Sequence, residues 1–434
     1  MPRPFSSNLW RNGAFVRVWT AASVSIFGSF ISRLAIPFVA ILVLGAGPLE
    51  VAALRSLDLV AALAVGLVAG AWVDRLRRRP VLIWTDAARA ALLLTIPLAF
   101  VLGVLSLWQL FAVSALTALL TTFFDAADNA YLPSIVRTEQ LVEANAALTA
   151  SASTAEVTAF GISGFLIQLL SAPIAVAIDA LSFIGSALLL GSIRQREDRP
   201  EPSTRRPILG EIREGAGLVG RDPVLRALLL TQMSQAVLWG VFGATYLLFA
   251  FEELQLGPAA IGLVTGAGGA GSLLGALVVG PAIRRWGIGP TAVVAMLCAA
   301  AGNALVPLAP AGAPLVAAAF LVGQQVIGDG GVTAYDITEQ SVRQATVDNR
   351  LLGRASSTFH AASGAAQLVG TIGAGLVAEA YGLRAAALLA PAGALIGAAV
   401  LWGSPVRSLQ IAALDAGGVP GYEPDTIGEE PVGG

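Results

Sequence analysis

Several ionisable residues lie inside long apolar stretches of this chain, where a charge is unfavourable, and four of them are singled out as candidate functional groups. They are Arg33, Asp58, Glu156 and Asp329. If these stretches lie in a membrane, each charge costs several kcal/mol, so its presence indicates a functional role by default. Glu156 has no basic residue nearby in the sequence, and desolvation favours the neutral form of an unpaired carboxyl group. A group that is neutral when buried and ionises when water reaches it is suited to carrying a proton.

The other three residues have partners or neighbours that suggest different uses. Arg33 and Asp58 lie on consecutive stretches that would run antiparallel, so they could form an ion pair. Arg55, one turn from Asp58, could compete for it. Such a pair either packs two helices together or takes part in coupling, and both readings remain open. Asp329 is flanked by glycines, which leave its side chain accessible.

A short charged run, GAWVDRLRRR at residues 70–79, separates the second apolar stretch from the third. Gly70, Asp74, Arg75 and Arg79 place one acid and several bases at fixed spacing behind a glycine. A carboxylate in such a loop can bind the N-terminus of a helix, whose partial charge is positive. The arginines can pair with distant acids, or they can simply follow the preference for basic residues in cytoplasmic loops.

The elements that must position these residues are apolar stretches long enough to span a bilayer as helices. Of the 434 residues, 56% are hydrophobic and 12% are charged, whereas an average soluble domain is about 25% charged. We predict twelve transmembrane helices, at residues 14–44, 51–72, 80–103, 107–131, 144–170, 174–193, 224–250, 258–281, 289–309, 313–336, 352–379 and 383–403.

The placement of arginine predicts the orientation of the chain. The loops after the second, fourth, sixth, eighth and tenth stretches carry nearly all the loop arginines, whereas the opposite loops carry essentially only Arg384. Cytoplasmic loops are enriched in basic residues. We therefore expect both termini to lie in the cytoplasm.

A polar interval at residues 194–223 divides the twelve stretches six and six. Its second part has apolar residues at helical spacing, which is typical of an amphipathic helix on the membrane surface. A shift of 210 positions places Gly70 on Gly280 and Arg75 on Arg285, which indicates two repeats. We predict an all-α membrane protein with two pseudo-symmetric six-helix bundles. Its parts are an N-terminal bundle (1–193), a cytoplasmic linker with the amphipathic helix (194–223), a C-terminal bundle (224–403) and a disordered cytoplasmic tail (404–434).

The charged run resembles the signature loop of the major facilitator superfamily, Gly-x-Leu-Ala-Asp-Arg-x-Gly-Arg-Lys. Four further fragments resemble the macrolide-efflux and enterobactin-exporter branch of drug:proton antiporters. They are FDAADNAYLP (124–133), LVEANA (141–146), IDALSF (178–183) and NRLLGR (349–354). The resemblance implies the fold named above, with alternating access by rocking of the two bundles and export driven by protons. Such antiporters usually carry Gly-Pro in helix 5, where this chain has Ala159 and Phe160.

In the orientation predicted above, the charged run can form a latch between the two halves. Asp74 would lie against the N-terminus of helix 11, beside Gly353 and Arg354. Arg75 would face Asp125 at the inner end of helix 4. These contacts would join the halves only when the cytoplasmic side is closed.

The resemblance also implies that helices 1, 4, 7 and 10 line a central cavity. Asp329 lies on helix 10, so it is a candidate for proton coupling together with Glu156, Asp58 and Arg33. Polar and aromatic side chains on helices 7 and 10 are candidate substrate contacts, namely Gln232, Gln235, Trp239, Gln324 and Gln325. Each of these could instead pack against a neighbouring helix.

The sequence contains no motif for catalysis. It has no lysine to complete a Walker motif. One histidine and one cysteine make a metal site improbable, and no basic patch with interleaved aromatic residues indicates nucleic-acid binding. We predict a monomeric transporter of the bacterial cytoplasmic membrane, without cofactor or metal, that exports a hydrophobic or amphiphilic small molecule using the proton gradient. The alternatives are an uncoupled facilitator or importer of the same fold, which the altered helix 5 favours, and a non-transporting membrane sensor.

Overall fold

The computed structural model describes residues 9–73, 75–194, 208–348 and 351–409, and every regular element in these ranges is helical. The first six helices are α1 (Gly13–Phe38), α2 (Pro48–Val73), α3 (Arg78–Val101), α4 (Leu107–Ile135), α5 (Leu141–Leu170) and α6 (Ala172–Gly191). The others are α7 (Ile208–Arg221), α8 (Pro223–Leu248), α9 (Pro258–Trp286), α10 (Ile288–Leu308), α11 (Pro314–Thr346), α12 (Leu352–Tyr381), α13 (Leu383–Ala387) and α14 (Leu389–Trp402).

The helices have the length and surface of membrane-spanning elements. Among the described residues, 11 helical spans are long and apolar enough to cross a membrane, with α13 and α14 counted as one. The 26-residue α2 packs among them, against α4 and α12. Leu98, Leu188 and Val369 are 61%, 69% and 68% exposed on the outside of the bundle. Such a surface fits acyl chains rather than water. The prediction of an all-helical membrane protein is confirmed.

The helix bounds repeat with the 210-residue shift found in the sequence. The bounds of α8 are those of α1 plus 210, and each helix is extended by a five-residue π-helical segment, Val39–Val43 or Phe249–Glu253. The capping residues correspond as well, since the side chains of Asn12 and Asp222 accept hydrogen bonds from the first amides of α1 and α8. The two sets of six spans are therefore built on the same local pattern.

The linker and the tail agree with the predicted boundaries only in part. An amphipathic helix forms in the linker as α7, whereas residues 195–207 lie outside the described ranges. Residues 404–409 of the predicted tail are ordered, because Pro405–Ser408 forms a 3-10 turn and Val406 is fully buried. The Leu409 carbonyl accepts hydrogen bonds from the amides of Ile288 and Gly289, at 3.1 and 3.3 Å. This contact satisfies the free amides at the start of α10 and so orders the segment.

The two halves are held together at one end of the molecule. We call this the closed end, and it carries the connections at residues 44–47 and 254–257. The opposite end, which carries Arg75, Arg79 and Arg137, is called the arginine end. One hydrophobic cluster at the closed end contains residues of both halves, and the rings of Phe38 and Phe251 meet edge to face across it at 6.0 Å. The other two clusters belong almost entirely to one half each. The halves therefore join at the closed end and separate towards the arginine end.

Glycines allow helices of the two halves to approach each other closely. We call this line of contact between α5 and α9 the seam. At α5 and α9, a Cβ atom on Gly262 would lie 2.9 Å from Gly164 Cα, and one on Gly164 would lie 3.0 Å from Gly262 Cα. Side chains cannot fit where the two backbones approach this closely. Gly164 of helix 5 thus serves the seam close to the position where the antiporter motif was expected.

Gly164→Ala is expected to shift the protein towards a state that opens at the closed end. An added methyl group would overpack the seam, which costs about 1–3 kcal/mol and corresponds to roughly a 5- to 150-fold change in population. Spin labels at Val43 and Gln255, in a Cys298→Ser background, would report the separation of the halves by double electron–electron resonance. The matched control is Gly161→Ala, because its new Cβ would meet only Leu263 Cδ2, at 3.8 Å. Equal distance distributions in both variants would contradict the role of the seam.

Candidate functional site

Two carboxyl groups from opposite halves lie in the same region, near the middle of the bundle. Glu156 lies halfway along the 30-residue α5, and Asp329 lies halfway along the 33-residue α11. They are close enough to interact electrostatically. Glu156 is exposed and Asp329 is half-buried, although each lies roughly 20 Å from either end of its helix at 1.5 Å per residue. An exposed carboxyl group at that depth needs a water-filled space rather than acyl chains. We call this acid pair and the space around it the central site.

The surroundings of Asp329 are made of a glycine, an amide and an aromatic ring. A Cβ atom on Gly268 of α9 would lie 2.5 Å from Asp329 Oδ2 and 3.4 Å from Gln325 Oε1. The absence of a side chain at Gly268 therefore gives Asp329 its position. Tyr246 of α8 also interacts electrostatically with Asp329. Its hydroxyl group is buried, and no hydrogen-bond partner for it is present among the described residues.

Three aromatic rings on α8 form a stripe that leads to this tyrosine. Trp239, Phe242 and Tyr246 have the spacing of one helical face. The rings of Trp239 and Phe242 meet edge to face at 5.8 Å, and those of Phe242 and Tyr246 are stacked at 4.1 Å. Trp239 is 37% exposed whereas Tyr246 is 5% exposed. The stripe thus runs from an accessible position to the buried side of the central site.

The candidate glutamines occupy different surroundings. Gln235 donates a hydrogen bond to Asp336 Oδ1 at 3.0 Å, and Asp336 is exposed on α11. Gln232 is half-buried on the same helix as Gln235. Asp336 was not predicted as a site residue, because it lies at the predicted end of helix 10. This helix corresponds to α11, which continues to Thr346.

Gln324 and Gln325 lie between helices of the C-terminal half. Both are buried, at 1% and 2% exposure. The Gln324 amide lies beside Asn303 of α10, in the space left by Gly328. Gln325 Nε2 donates to the Thr265 carbonyl of α9 at 3.5 Å. In this state the two side chains occupy the packing positions that the sequence left open as an alternative.

The ion pair of Asp58 involves Arg55 rather than Arg33. Arg55 Nη1 lies 4.0 Å from Asp58 Oδ2, and Arg55 Nη2 donates to the Arg33 carbonyl at 2.9 Å. The Arg33 guanidinium group lies 5.0 Å from the centre of the Phe30 ring and is exposed. Arg55 is favoured because it lies on the same face of α2 as Asp58, one turn away.

Arg79, one of the latch candidates, makes contacts within the N-terminal half. Arg79 donates hydrogen bonds to the carbonyls of Leu190 and Gly191, at 2.9 and 2.6 Å, and so caps the C-terminus of α6. Arg75 is exposed. Gly70 lies near the end of α2, and Asp74 lies outside the described residues. The latch therefore stays a prediction.

On the other side of the proposed latch, Arg354 pairs with the linker helix. Its guanidinium group forms a salt bridge with Glu214 of α7, while Gly353 is exposed. A Cβ atom on Gly215 would lie 2.6 Å from Thr358 Oγ1, so α7 lies directly on α12. The linker helix is thereby attached to the C-terminal half.

Reversing either charge of this salt bridge is expected to weaken the attachment of α7 to α12, and exchanging both charges is expected to restore it. Glu214→Arg or Arg354→Glu should release α7, because each leaves two like charges in contact. A partly exposed pair contributes about 0.2–1 kcal/mol, so we expect a two- to fivefold rise in hydrogen–deuterium exchange over residues 208–221. The double variant should return to the original rate, and Arg221→Gln serves as a charge control on the same helix. An unchanged rate in both single variants would contradict the attachment.

A buried network in the N-terminal half was missed in the sequence. Asp86 and Arg89 of α3 are 0% and 3% exposed and form a salt bridge. The Arg89 guanidinium group lies between the rings of Phe124 and Phe183, at 4.3 and 4.2 Å from their centres. Arg89 also interacts with Asp125, the fourth-helix latch candidate, which is exposed. The signal was present, since the two opposite charges lie three residues apart inside a predicted transmembrane helix.

Comparison with known proteins identifies relatives of the same kind. The sequence matches the profile of the Major Facilitator Superfamily over residues 18–333. It is 24% identical over 401 residues to YfiS of Bacillus subtilis (strain 168), which is described as an uncharacterized MFS-type transporter. The aligned region covers 88% of this chain and 91% of YfiS. YvqJ of the same organism, described in the same words, is 23% identical over 320 residues, covering 69% of this chain and 70% of YvqJ.

Solved structures share the fold at low sequence identity. A mutant of the nucleoside transporter NupG superposes with a TM-score of 0.75 at 13% identity, covering 90% of this chain and 99% of NupG. A bacterial homologue of the iron transporter ferroportin in an inward-facing state gives 0.71 at 18% identity, covering 91% of this chain and 99% of the homologue. The outward-facing state of a bacterial ferroportin homologue gives only 0.57 at 18% identity, with 90% and 98% coverage.

The fold, the internal repeat and the profile match point to one class of protein. The profile covers well over half of the chain, and the relatives match along most of their length. Proteins of this superfamily are generally carriers rather than enzymes. The chain belongs to the major facilitator superfamily and is a membrane transporter of that family.

Proposed function

We propose that this transporter exports a hydrophobic or amphiphilic small molecule, such as a drug, an antibiotic or a siderophore, in exchange for protons. The observation that carries the proposal is the acid pair of the central site. Glu156 and Asp329 belong to opposite halves, so rocking of the halves changes both their separation and their access to water. Groups placed in this way respond directly to the conformational change.

The proposed cycle follows from access to Glu156. With the arginine end open to the cytoplasm, water reaches Glu156, which releases its proton inward, and substrate enters from the same side. Closure at the arginine end and opening at the other end would release substrate outward and let Glu156 take up a proton. A carboxylate without a counter-ion is unfavourable in a dry environment, so the proposed exchange of protons takes place only when one end of the site is open to water. Inward movement of protons is thereby linked to outward movement of substrate.

The setting of this cycle is the bacterial cytoplasmic membrane, with both termini in the cytoplasm and the protein acting as a monomer. The arginine end then faces inward, as the positive-inside rule requires. Protons, the bilayer and a small-molecule substrate are the partners, and the proton gradient takes the place of a cofactor.

An uncoupled facilitator or importer of the same fold is the second candidate. It is favoured by helix 5, where Ala159 and Phe160 replace the usual Gly-Pro of proton-coupled exporters. Gly164 of this helix packs in the seam instead. A sensor that does not transport would use the same fold without net movement of substrate.

Everted membrane vesicles distinguish these candidates. Uptake of fluorescent and radiolabelled macrolides and siderophores would be measured with a pH gradient that is acidic inside, and again after a protonophore has removed it. Proton-coupled export predicts accumulation in everted vesicles that collapses with the gradient. Equal movement with and without the gradient would identify a facilitator, and no movement of any compound tested would contradict the proposed export of these classes.

Asp74→Asn is expected to cut transport at least tenfold in these vesicles while the protein remains folded and inserted. The substitution removes the charge that would bind the N-terminus of α12 in the state closed at the arginine end. Arg77→Gln is the matched control, because it removes a charge from the same loop without removing a latch candidate. Transport by Asp74→Asn at the unmodified rate would contradict the latch.

A further inference from the structure

Two arginines without acidic partners border a groove at the arginine end of the N-terminal half. The groove has a volume of about 440 Å³, which is within the range of small-ligand sites. Both guanidinium groups are exposed, and neither forms a salt bridge within the part of the chain that the structure describes. No carboxylate belongs to the wall of the groove, so its positive charge is not balanced there. The wall is formed by Arg11, Asn12, Ser134, Ile135, Val136, Arg137 and Gln140.

The groove is held in shape by contacts between the segment before α1 and the end of α4. Asn12 Nδ2 donates a hydrogen bond to the Ile135 carbonyl at 2.8 Å, while Asn12 Oδ1 accepts hydrogen bonds from the first amides of α1. Leu9 is fully buried, so the backbone is anchored on both sides of Arg11. The two arginines therefore do not have to be brought together when a ligand binds, which lowers the entropic cost of binding.

The polar groups of the groove are mainly hydrogen-bond donors. An arginine presents its N–H groups in a planar fork that matches two oxygens of a phosphate group. Gln140 Oε1 accepts a hydrogen bond from the Arg137 amide at 3.4 Å, which leaves the Nε2 group of Gln140 as a further donor. Two positive charges and an amide donor favour a ligand that is an anion with several oxygens.

The groove lies at the level of the membrane surface. The membrane span of α1 begins two residues after Arg11, and that of α4 ends two residues before Arg137. Trp10 is 40% exposed, and its ring meets that of Trp19 edge to face at 5.1 Å. Tryptophan is enriched where lipid headgroups meet acyl chains. Val142, which is 81% exposed at the start of α5, offers an apolar surface to an acyl chain.

The second repeat does not reproduce this arrangement of charges. A shift of 210 positions places Arg11 on Arg221 but Arg137 on Val347. The same shift replaces the amide that caps α1 with the carboxylate of Asp222. The paired arginines are thus a feature of the N-terminal half, and Arg221 is a matched control for them.

We propose that this groove binds the phosphate group of an anionic phospholipid, with Arg11 and Arg137 on the phosphate oxygens and Gln140 as a further donor. Basic pockets between transmembrane helices are suited to such headgroups. A zwitterionic headgroup is less favourable, because its ammonium group would meet two guanidinium groups and no acid. A soluble phosphate ester has the same chemistry, but the groove lies where the bilayer supplies headgroups. This lipid site lies outside the central site and does not depend on proton exchange.

Lipid binding to the purified full-length protein in detergent tests the sign of the headgroup. The protein would be titrated with dioleoyl phosphatidylglycerol or with dioleoyl phosphatidylethanolamine, and the bound lipid would be counted by native mass spectrometry. The glycerol lipid should bind at least fivefold more tightly than the ethanolamine lipid. Its binding should weaken as salt is added, because both arginines are exposed. Equal binding of the two lipids would overturn the proposal.

Variants of the two arginines test the position of the lipid. The double variant Arg11→Gln with Arg137→Gln should weaken phosphatidylglycerol binding at least tenfold. Arg11→Lys with Arg137→Lys should keep part of the affinity, because lysine retains the charge but loses the planar fork. Arg221→Gln should bind the lipid as the unmodified protein does. Unchanged affinity in the double glutamine variant would overturn the proposal, and matching size-exclusion profiles and unfolding temperatures would exclude a folding defect.

Glycerol 1-phosphate distinguishes a lipid site from a site for a soluble phosphate ester. Its binding to the same preparation would be measured by equilibrium dialysis. The lipid site predicts no measurable binding at concentrations at which phosphatidylglycerol saturates the protein. Binding of glycerol 1-phosphate as tight as that of the lipid, and its loss in the double glutamine variant, would overturn the lipid as the occupant of the groove.

Discussion

Glu156→Gln should abolish uphill export driven by a pH gradient while leaving substrate exchange intact. Glutamine keeps the shape and the hydrogen bonding of the neutral carboxyl group but cannot release a proton. The rocking motion and the rest of the central site are retained, so exchange between labelled and unlabelled substrate should proceed within a few-fold of the original rate. Accumulation against a concentration gradient should fall at least tenfold. Proteoliposomes with an imposed pH gradient measure both quantities in one preparation.

The control for this experiment is Glu139→Gln, an exposed acid just before α5. It should support full accumulation, because it lies outside the central site. Full gradient-driven accumulation by Glu156→Gln would move the proton site elsewhere, with Asp329 and Asp58 next to be tested. Loss of exchange together with accumulation would indicate instead that Glu156 is needed for the conformational change itself.

Arg89→Leu is expected to destabilise the protein strongly, by about 3–5 kcal/mol. The substitution leaves Asp86, which is fully buried, without its counter-ion. It also removes the guanidinium group that fills the space between Phe124 and Phe183. The unfolding temperature in detergent should fall by several degrees, and less folded protein should be recovered by size-exclusion chromatography.

The double variant Arg89→Leu with Asp86→Leu distinguishes the loss of a charge partner from the loss of packing. Replacing both members of a buried pair with apolar residues is often close to neutral, so most of the stability should return. Arg75→Ala is a control, since that arginine is exposed. A double variant no more stable than the single one would show that stability depends on the shape of Arg89 rather than on pairing of charges.

The helices and their repetition could be predicted from the sequence. The first predicted stretch, 14–44, corresponds to the helical span Gly13–Val43, and 352–379 corresponds to Leu352–Tyr381. Hydropathy is a local property, and a membrane demands that each apolar segment form its own backbone hydrogen bonds. The 210-residue repeat is visible for the same reason, because equivalent helices carry equivalent local patterns.

The sequence could predict which residues belong to the central site, but not that they lie close together. Glu156 and Asp329 were selected one by one, from the cost of placing a carboxyl group at membrane depth. Their approach from opposite halves could not be predicted, since it depends on how α5 and α11 are rotated about their axes. The same limit applies to Gln324 and Gln325, because a turn of one residue moves a side chain by about 100° around a helix.

The sequence by itself determined which segments enter the membrane, which end carries the arginines and which acids are costly enough to need a function. Only the tertiary structure decided the partners that lie far apart in the chain, such as Glu214 for Arg354 and Asp336 for Gln235. It also decided which end is closed. Partner choice depends on how near two backbones come, and that distance is determined by contacts such as Gly164 against Gly262, nearly 100 residues apart in the chain. Local periodicity carries no information about such contacts, because each helix satisfies the same pattern whichever neighbour it meets.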